Sequence, residues 1–289
     1  MLMPRVDISD LERETDHTRV DGVAFELYKE TLSIVNLAAH LLSEEDANKG
    51  GWPRNQAICA GLLIRISKFM LVVVELAADG NRAEVVHAIN RSILESAVNL
   101  EFLVCTRDQK FFEQFVKFSL APERELYDLI QENIAARHGQ VLPIERRMID
   151  SINDVCKISG VRIEDVDRKT GDWGGGMRER LKAIKKEKIY AVVQRIPSHA
   201  VHGTWVDLYK NHLEYIDGSD VYAPQPNFAM VDARLLGPAA LFVLSALRPY
   251  LERFFAQMEN FVAIKQRFDD LEERIVRAEQ THERLFAGK

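Results

Sequence analysis

The sequence contains few residues that interrupt regular structure, with 15 glycines and 9 prolines in 289 residues. The usual combined share of these two residues is about 12%, so the shortage favours long helices. Hydrophobic residues make up 47% of the chain and charged residues 28%, a balance that excludes an intrinsically disordered or collagen-like chain. No segment has a pattern that predicts a β-strand, and no internal repeat is found.

Cysteine is also scarce: the chain has Cys59, Cys105 and Cys156, far apart and in apolar or helical contexts. Their odd number and wide spacing exclude a disulfide framework and give no support to a zinc site. Reduced thiols in the cytoplasm are the expectation.

A global basic field is absent as well, since 38 Lys and Arg face 44 Asp and Glu, giving a net charge of -6 and a pI of about 5.8. The most apolar stretch, residues 57–76, contains Arg65, Lys68 and Glu75. Charges inside a spanning helix are costly, and the N-terminus lacks the apolar run of a signal peptide. We therefore expect no membrane association.

Apolar residues at spacings of three and four predict an all-α multi-helix bundle. Residues 52–105 read as an antiparallel hairpin that turns at Asp79-Gly80, and further helices are expected over 177–195 and 198–215. The interruption at 165–176 contains Trp173 and three consecutive glycines. It predicts either a lid or partner-contact loop or a plain connector.

The C-terminal part is predicted to be a long helix or coiled-coil arm that is kinked at Pro249. We therefore divide the chain into a helical bundle domain, 1–237, and a C-terminal arm, 238–289. Phe268, Leu271, Ile275 and Ala278 follow a heptad spacing on a highly charged helix. This seam predicts a homodimer contact, or alternatively a helix that packs along its own domain.

The segment 190–205 concentrates the side chains best suited to chemistry. In a helix that begins near Pro197, Ser198 and His202 lie on one face, and Arg195 precedes the first turn. A cation, a hydroxyl and an imidazole that converge could hold a phosphate and transfer a proton. Arg195, Ser198 and His202 are therefore the candidate catalytic residues, with His199 as a supporting residue.

Two family resemblances rest on these residues. Arg91 and Glu95 on one helix, with Tyr190, Arg195, Ser198 and His202 on a later segment, resemble an uncharacterised bacterial all-helical family, domain-of-unknown-function family 5677, over about residues 55–213. That resemblance implies a helical fold with a polar cluster, in which Arg91, Glu95 and Tyr190 support the site. It implies no established activity.

Arg195 and His202 also fit the Arg-x4-6-His pattern of the HEPN family, the higher eukaryote and prokaryote nucleotide-binding helical domains. The pattern occurs three times in this chain, and only the middle occurrence has Tyr190 and Ser198 around it. The resemblance implies a metal-independent ribonuclease that works at a dimer interface, in which Arg195 stabilises the scissile phosphate and His202 takes the 2'-hydroxyl proton. Ile196 and Pro197 depart from the family pattern.

Basic residues cluster just before this segment, and they form either a nucleic-acid patch or a solvated helix face. They are Arg178, Arg180, Lys182, Lys185 and Lys186. Glu-x-x-His pairs begin at Glu14, Glu84 and Glu279, but no matching inward carboxylates accompany them. We predict no metal site and no cofactor.

The sequence thus favours a HEPN-like RNA-cleaving or RNA-binding protein of a bacterial stress or phage-defence system, acting as a homodimer through its C-terminal helix. The alternative is a non-enzymatic helical interaction or scaffold module that binds a protein partner. In that alternative, Ser198 and His202 bond to Arg91 or Glu95 in a buried structural network.

Overall fold

A computed structural model describes residues 5–42, 46, 48–168, 171–218, 221–259 and 261–287, most of which are helical. The described part contains eleven α-helices, which confirms the all-α bundle. They are α1 (His17–Ala39), α2 (Arg54–Ala77), α3 (Ala83–Thr106), α4 (Gln109–Ser119), α5 (Ala121–Ala136), α6 (Pro143–Ser159), α7 (Gly176–Ala183), α8 (Ser198–His202), α9 (Trp205–Asn211), α10 (Ala233–Phe254) and α11 (Phe261–Ala287).

Four of these helices form the core in a closed ring, in which α1 packs on α2, α2 on α3, α3 on α10 and α10 on α1. The predicted α2–α3 hairpin is confirmed, and residues 78–82 join its two helices. Tyr28, Ile66, Leu100 and Tyr250 are fully buried where the helices meet. Burying an apolar side chain of this size contributes about 1.5–3 kcal/mol, so this ring holds most of the stabilising contacts.

Helix α2 has the length and mean hydropathy, 2.2, of a membrane-spanning helix. In this fold it packs between α1 and α3 and buries Leu63, Ile66 and Met70 completely. A core helix of a folded domain meets the same length and composition test, so α2 gives only weak evidence for a membrane.

The C-terminal residues form two helices. Helix α10 continues through Pro249 to Phe254, the chain turns, and α11 packs back onto α1 and α10. The heptad residues Phe268, Leu271, Ile275 and Ala278 are at most 3% exposed and share one core with α1. The division after residue 237 falls inside α10, and these seam residues are not accessible to a partner helix. A homodimer stays a prediction.

Residues 176–227 differ most from expectation. The helices predicted over 177–195 and 198–215 are wrong in extent, because α7 ends at Ala183 and α8 ends at His202, before Gly203 with its φ of +56°. A π-helix, Ala191–Arg195, precedes α8. The expectation of no strand is also wrong: β1 (Leu213–Ile216) pairs with β2 (Val221–Pro224) in an antiparallel hairpin. Their aromatic and β-branched residues suit strands.

The loop around Trp173 is held against the bundle. The indole is 5% exposed and packs edge-to-face on Phe102 and Phe115, with ring centroids 5.7 and 5.0 Å away. Gly174, with φ of +59°, lies so close to Phe102 that a Cβ would contact the ring at 3.1 Å. The loop therefore packs as a connector and does not present Trp173 to a partner.

Candidate functional site

The predicted catalytic residues lie on short helices outside the four-helix ring. Val193 of the π-helix is 3% exposed and packs with Leu94 and Val98 of α3 and Leu181 of α7. This small apolar cluster attaches the segment 186–202 to α3. Apart from Pro197, which is also buried, the other residues of the segment are half-buried or exposed.

Arg195 and His202 are both exposed, and neither makes a hydrogen bond or an ion pair with the described residues. Ser198 is partly buried, and its hydroxyl donates to the carbonyl oxygen of Gln194, one turn earlier. His199 contacts the hydroxyl of Thr204 through Nδ1 at 2.6 Å. The cation and the imidazole are thus available to a ligand, whereas the Ser198 hydroxyl proton is already used.

The supporting residues lie elsewhere. Arg91 and Glu95 pair along α3, with Nη2 and Oε2 3.8 Å apart, and they make no hydrogen bond to Ser198 or His202 among the described residues. Tyr190 is partly buried against the apolar cluster under the π-helix. The structural network in which His202 bonds to Arg91 or Glu95 is therefore absent from the described contacts.

The basic cluster is divided between the surface and the interior. Arg180 is 5% exposed, donates to the carbonyl oxygen of Trp173 at 2.7 Å, and lies over that indole ring. Lys186 donates to Glu101 Oε2 at 2.6 Å. Burial lowers the pKa of Arg180 and raises that of Glu101. These two cations therefore have structural roles.

The other three basic residues, Arg178, Lys182 and Lys185, are exposed. Arg178 pairs with Glu187 at 3.0 Å, and Lys182 lies 3.9 Å from Glu179. Nearby carboxylates thus offset part of their charge, and the surface is less basic than the sequence suggests.

An exposed aromatic group follows His202 directly. Trp205 is 56% exposed, stacks on Tyr209 with centroids 6.3 Å apart, and meets Tyr222 of β2 edge-on at 5.4 Å. Tyr215 of β1 contacts Tyr222 at 5.3 Å. We call these four residues the aromatic face. The aromatic face was not predicted from sequence, because it depends on the unpredicted hairpin that brings Tyr215 and Tyr222 to Trp205.

A cavity of about 430 Å³ lies on the inner side of the same segment. Its walls come from α3, from α10 and from residues 186–197, including Val192 and Val193 of the π-helix. His87 and Asn90 of α3 line it among mainly apolar neighbours. Largely apolar cavities with a few polar groups are the usual form of small-molecule sites.

A smaller cavity of about 110 Å³ shares His87, Ile196 and Pro197 with the first. Asp207 lines it as well; it is 6% exposed and accepts from Asn211 Nδ2 at 2.9 Å. Burial lowers the pKa of His87, although nearby carboxylates oppose the shift. The imidazole is therefore neutral near pH 7.

In the sequence, His87 stands out only as part of a Glu-x-x-His pair, and Asn90 belongs to no recognised motif. Their spacing could have identified them, because His87 and Asn90 lie three residues apart on one face of α3, and Leu94 continues the same face. No group of three or more potential metal-ligating His, Cys, Asp or Glu side chains occurs in the part of the chain that the structure describes.

These features define an all-α bundle that carries a segment of short helices with an exposed polar and aromatic surface. A family model, described as a family of unknown function (DUF5677), matches residues 56–220, more than half of the chain. The protein belongs to this family, as the resemblance over residues 55–213 predicted. No curated protein and no solved structure matches significantly.

Proposed function

We propose that the protein binds single-stranded RNA on the aromatic face and cleaves it with Arg195 and His202. The observation that supports this proposal best is the position of four aromatic side chains, each 39–56% exposed and linked by ring contacts, directly after the exposed His202. Unpaired bases stack on exposed aromatic rings, whereas the bases of a duplex are already stacked. The proposal therefore specifies a single strand.

Electrostatics make a modest contribution to this binding. The chain has a net charge of -6, and two of the five cations in the predicted patch point inward. Lys210, which follows Tyr209 in the sequence, and Arg195 are exposed and make no ion pair among the described residues. Two phosphate contacts on a single strand give a slope of about -1.4 for log affinity against log salt.

Cleavage follows from the chemistry of the two side chains. His202 takes the proton of a ribose 2'-hydroxyl, and that oxygen attacks the adjacent phosphorus. The bond to the 5'-oxygen breaks, and the leaving oxygen takes a proton from solvent, giving a 2',3'-cyclic phosphate and a 5'-hydroxyl. The Arg195 guanidinium stabilises the charge that develops on the phosphoryl oxygens.

Binding is tested by fluorescence anisotropy with a labelled uridine oligonucleotide and a duplex of equal length. We expect the single strand to bind more tightly and Trp205→Ala to weaken binding about 5- to 150-fold, the effect of losing one stacked base. Phe228→Ala is the matched control, because Phe228 is 55% exposed and makes no ring contact with the aromatic face. Equal losses in both variants would remove the aromatic face from the proposal.

Cleavage is tested with the same oligonucleotide and with its 2'-deoxy analogue, which should bind without being cut. His202→Ala should abolish the cyclic phosphate product, and His40→Ala, which removes another exposed imidazole, should not. Equal cleavage by wild type and His202→Ala would show that His202 is not the base.

A second candidate, the helical interaction module, is favoured by exposed aliphatic side chains on the same segment. Val192 and Ile196 are each 57% exposed and Val201 is 47% exposed. Such neighbouring apolar groups are typical of protein contact surfaces. Light scattering at several concentrations measures the oligomeric state and distinguishes the two candidates. The interaction module is favoured if the wild type forms a homodimer that Val201→Asp dissociates and if the wild type does not bind RNA.

A further inference from the structure

The cavity between α3, α10 and residues 186–197 is large enough for a small organic molecule. A cavity of about 150 Å³ holds benzene, so 430 Å³ corresponds to on the order of 15 non-hydrogen atoms. Its walls are mainly aliphatic, with Leu94, Val193 and Leu241 from three different elements and Phe242 as the aromatic member. Such walls favour an apolar body.

The two cations on the cavity wall already have carboxylate partners. Lys186 Nζ donates to Glu101 at 2.6 Å and to Ser245 at 2.7 Å, and Arg234 Nε donates to Asp232 at 3.0 Å. An anion would have to compete with these partners. A ligand cation would meet no free carboxylate, since none lines the cavity among the described residues. The charges therefore favour an uncharged occupant.

Asn90 supplies the polar recognition group. Asn90 is only 6% exposed, and its Nδ2 donates to the carbonyl oxygen of Leu235 at 2.8 Å. This bond fixes which end of the amide is the oxygen. Oδ1 is buried and has no partner among the described residues. Buried acceptors are rarely left unpaired in native proteins, so Oδ1 is suited to a donor from a ligand.

The backbone of the outer wall is a second, independent indication. Val192 and Val193 line the cavity from the π-helix Ala191–Arg195. Single π-turns are rare and occur frequently at functional sites. Here the π-helix places a valine pair opposite Asn90 and the apolar face of α10.

We infer that this cavity binds an uncharged, largely apolar small molecule of about 15 non-hydrogen atoms, whose single hydroxyl or N–H group donates to Asn90 Oδ1. The proposed ligand contacts are separate from the aromatic face, because neither Asn90 nor Val193 belongs to it. The smaller cavity next to it adds polar groups beyond His87, but the ligand contacts argued above do not require them.

N-phenyl-1-naphthylamine is a suitable probe, because it is neutral, carries one N–H and becomes fluorescent in apolar surroundings. Two analogues provide the comparison. Its 8-sulfonate adds a negative charge, and 1-phenoxynaphthalene replaces the N–H by an ether oxygen. We expect the amine to bind at least tenfold more tightly than the sulfonate and about three- to tenfold more tightly than the ether, measured by titration and by competition.

Variants locate the binding site. Asn90→Leu should remove the preference for the amine over the ether, and Val193→Phe should fill the cavity and weaken the amine at least tenfold. If Val193→Phe does not fold, Val192→Trp is used in its place, because Val192 lines the half-exposed rim of the cavity and its larger side chain should also weaken binding of the amine. Val201→Phe is the matched control, because the same exchange lies on exposed α8 and should leave probe affinity unchanged.

Three results would overturn the inference. Unchanged affinity in a folded cavity-filling variant would place the probe elsewhere. An amine that binds no better than the ether in the wild type would remove Asn90 as the acceptor. A concentration-dependent dimer that excludes all three probes would show that a second copy covers the cavity. RNA anisotropy, measured on the same samples, reports separately on the aromatic face.

Discussion

Glu279 gives the sharpest test of the electrostatics of this fold. It lies on α11, where its carboxyl group packs against Gly237 of α10 so closely that a Cβ at Gly237 would overlap it. Burial, with smaller contributions from the carboxylates of Glu283 and Asp232, raises the pKa of Glu279 to about 7. It forms no ion pair among the described residues, so nothing offsets the cost of ionisation.

The sign of the effect follows from proton linkage. The folded state holds the proton more tightly than the unfolded chain, in which the pKa is about 4.5. The stabilising contribution is therefore fully present below pH 4.5 and is lost as the pH rises through 7. The difference between the two pKa values corresponds to about 3 kcal/mol, and solvent reduces this because Glu279 is only partly buried. Glu279→Gln should thus be more stable than wild type by about 1–2 kcal/mol at pH 8.5, with little difference near pH 4.5.

Urea unfolding followed by circular dichroism measures this difference at pH 4.5, 6, 7 and 8.5. Glu273→Gln is the matched control, since Glu273 is exposed on the same helix and should change stability by less than about 0.5 kcal/mol at every pH. A stability difference for Glu279→Gln that does not depend on pH would refute the reasoning. A large difference at pH 4.5 would refute it as well, because the carboxyl group is then neutral in the folded protein.

Three other substitutions test the packing, each measured by the urea midpoint. Gly237→Ala should change the stability by less than about 1 kcal/mol, because its methyl group meets the end of the flexible Glu279 side chain, which can turn away; a loss of about 3 kcal/mol would show that this carboxyl group cannot move. Arg274→Met should cost about 1.5–3 kcal/mol, since Arg274 and Glu30 are 3% and 2% exposed and Arg274 donates to both Glu30 oxygens at 2.7 Å, while Arg267 still pairs with Glu30 at 2.6 Å; a cost below about 1 kcal/mol, the usual value for an exposed pair, would contradict this. Trp173→Ala should cost about 3–5 kcal/mol, and an unchanged midpoint would show that the loop is not anchored by its indole.

The parts of the fold that could be predicted from sequence depend on local signals. Asp79-Gly80 marks the end of α2, and Asp108 caps α4 by accepting from Lys110 N at 2.9 Å. Apolar spacing then identifies the helices of the ring. The packing of α11 could not be decided in this way, because a heptad seam pairs equally well with a second chain or with α1 and α10 of its own.

Residues 186–227 could not be predicted because their local preferences conflict. Val192 and Val193 continue the apolar spacing of an α-helix, but they lie in a π-helix. Contacts with α3, which is distant in the sequence, hold this π-helix in place. Tyr215 and Tyr222 have strand propensity only when a partner strand is present. The catalytic candidates were found by residue type, whereas the cavity depends on which faces of α3 and α10 the short helices leave uncovered.

The larger cavity and the Arg195–His202 site therefore both depend on residues 186–202, which form a single layer outside the four-helix ring. Ile196 and Pro197 line the two cavities on their inner side, and Arg195 on the preceding turn faces solvent. The π-helix lacks the regular α-helical hydrogen bonds that stiffen α3 and α10, and the buried side chain of Val193 attaches it to the apolar cluster on α3. A molecule in the larger cavity would press on the same residues that position Arg195. When two ligands act on the same structural element, each changes the affinity for the other by the same factor. We therefore expect a ligand in the cavity to change the affinity for RNA at the aromatic face, and bound RNA to change the affinity of the cavity.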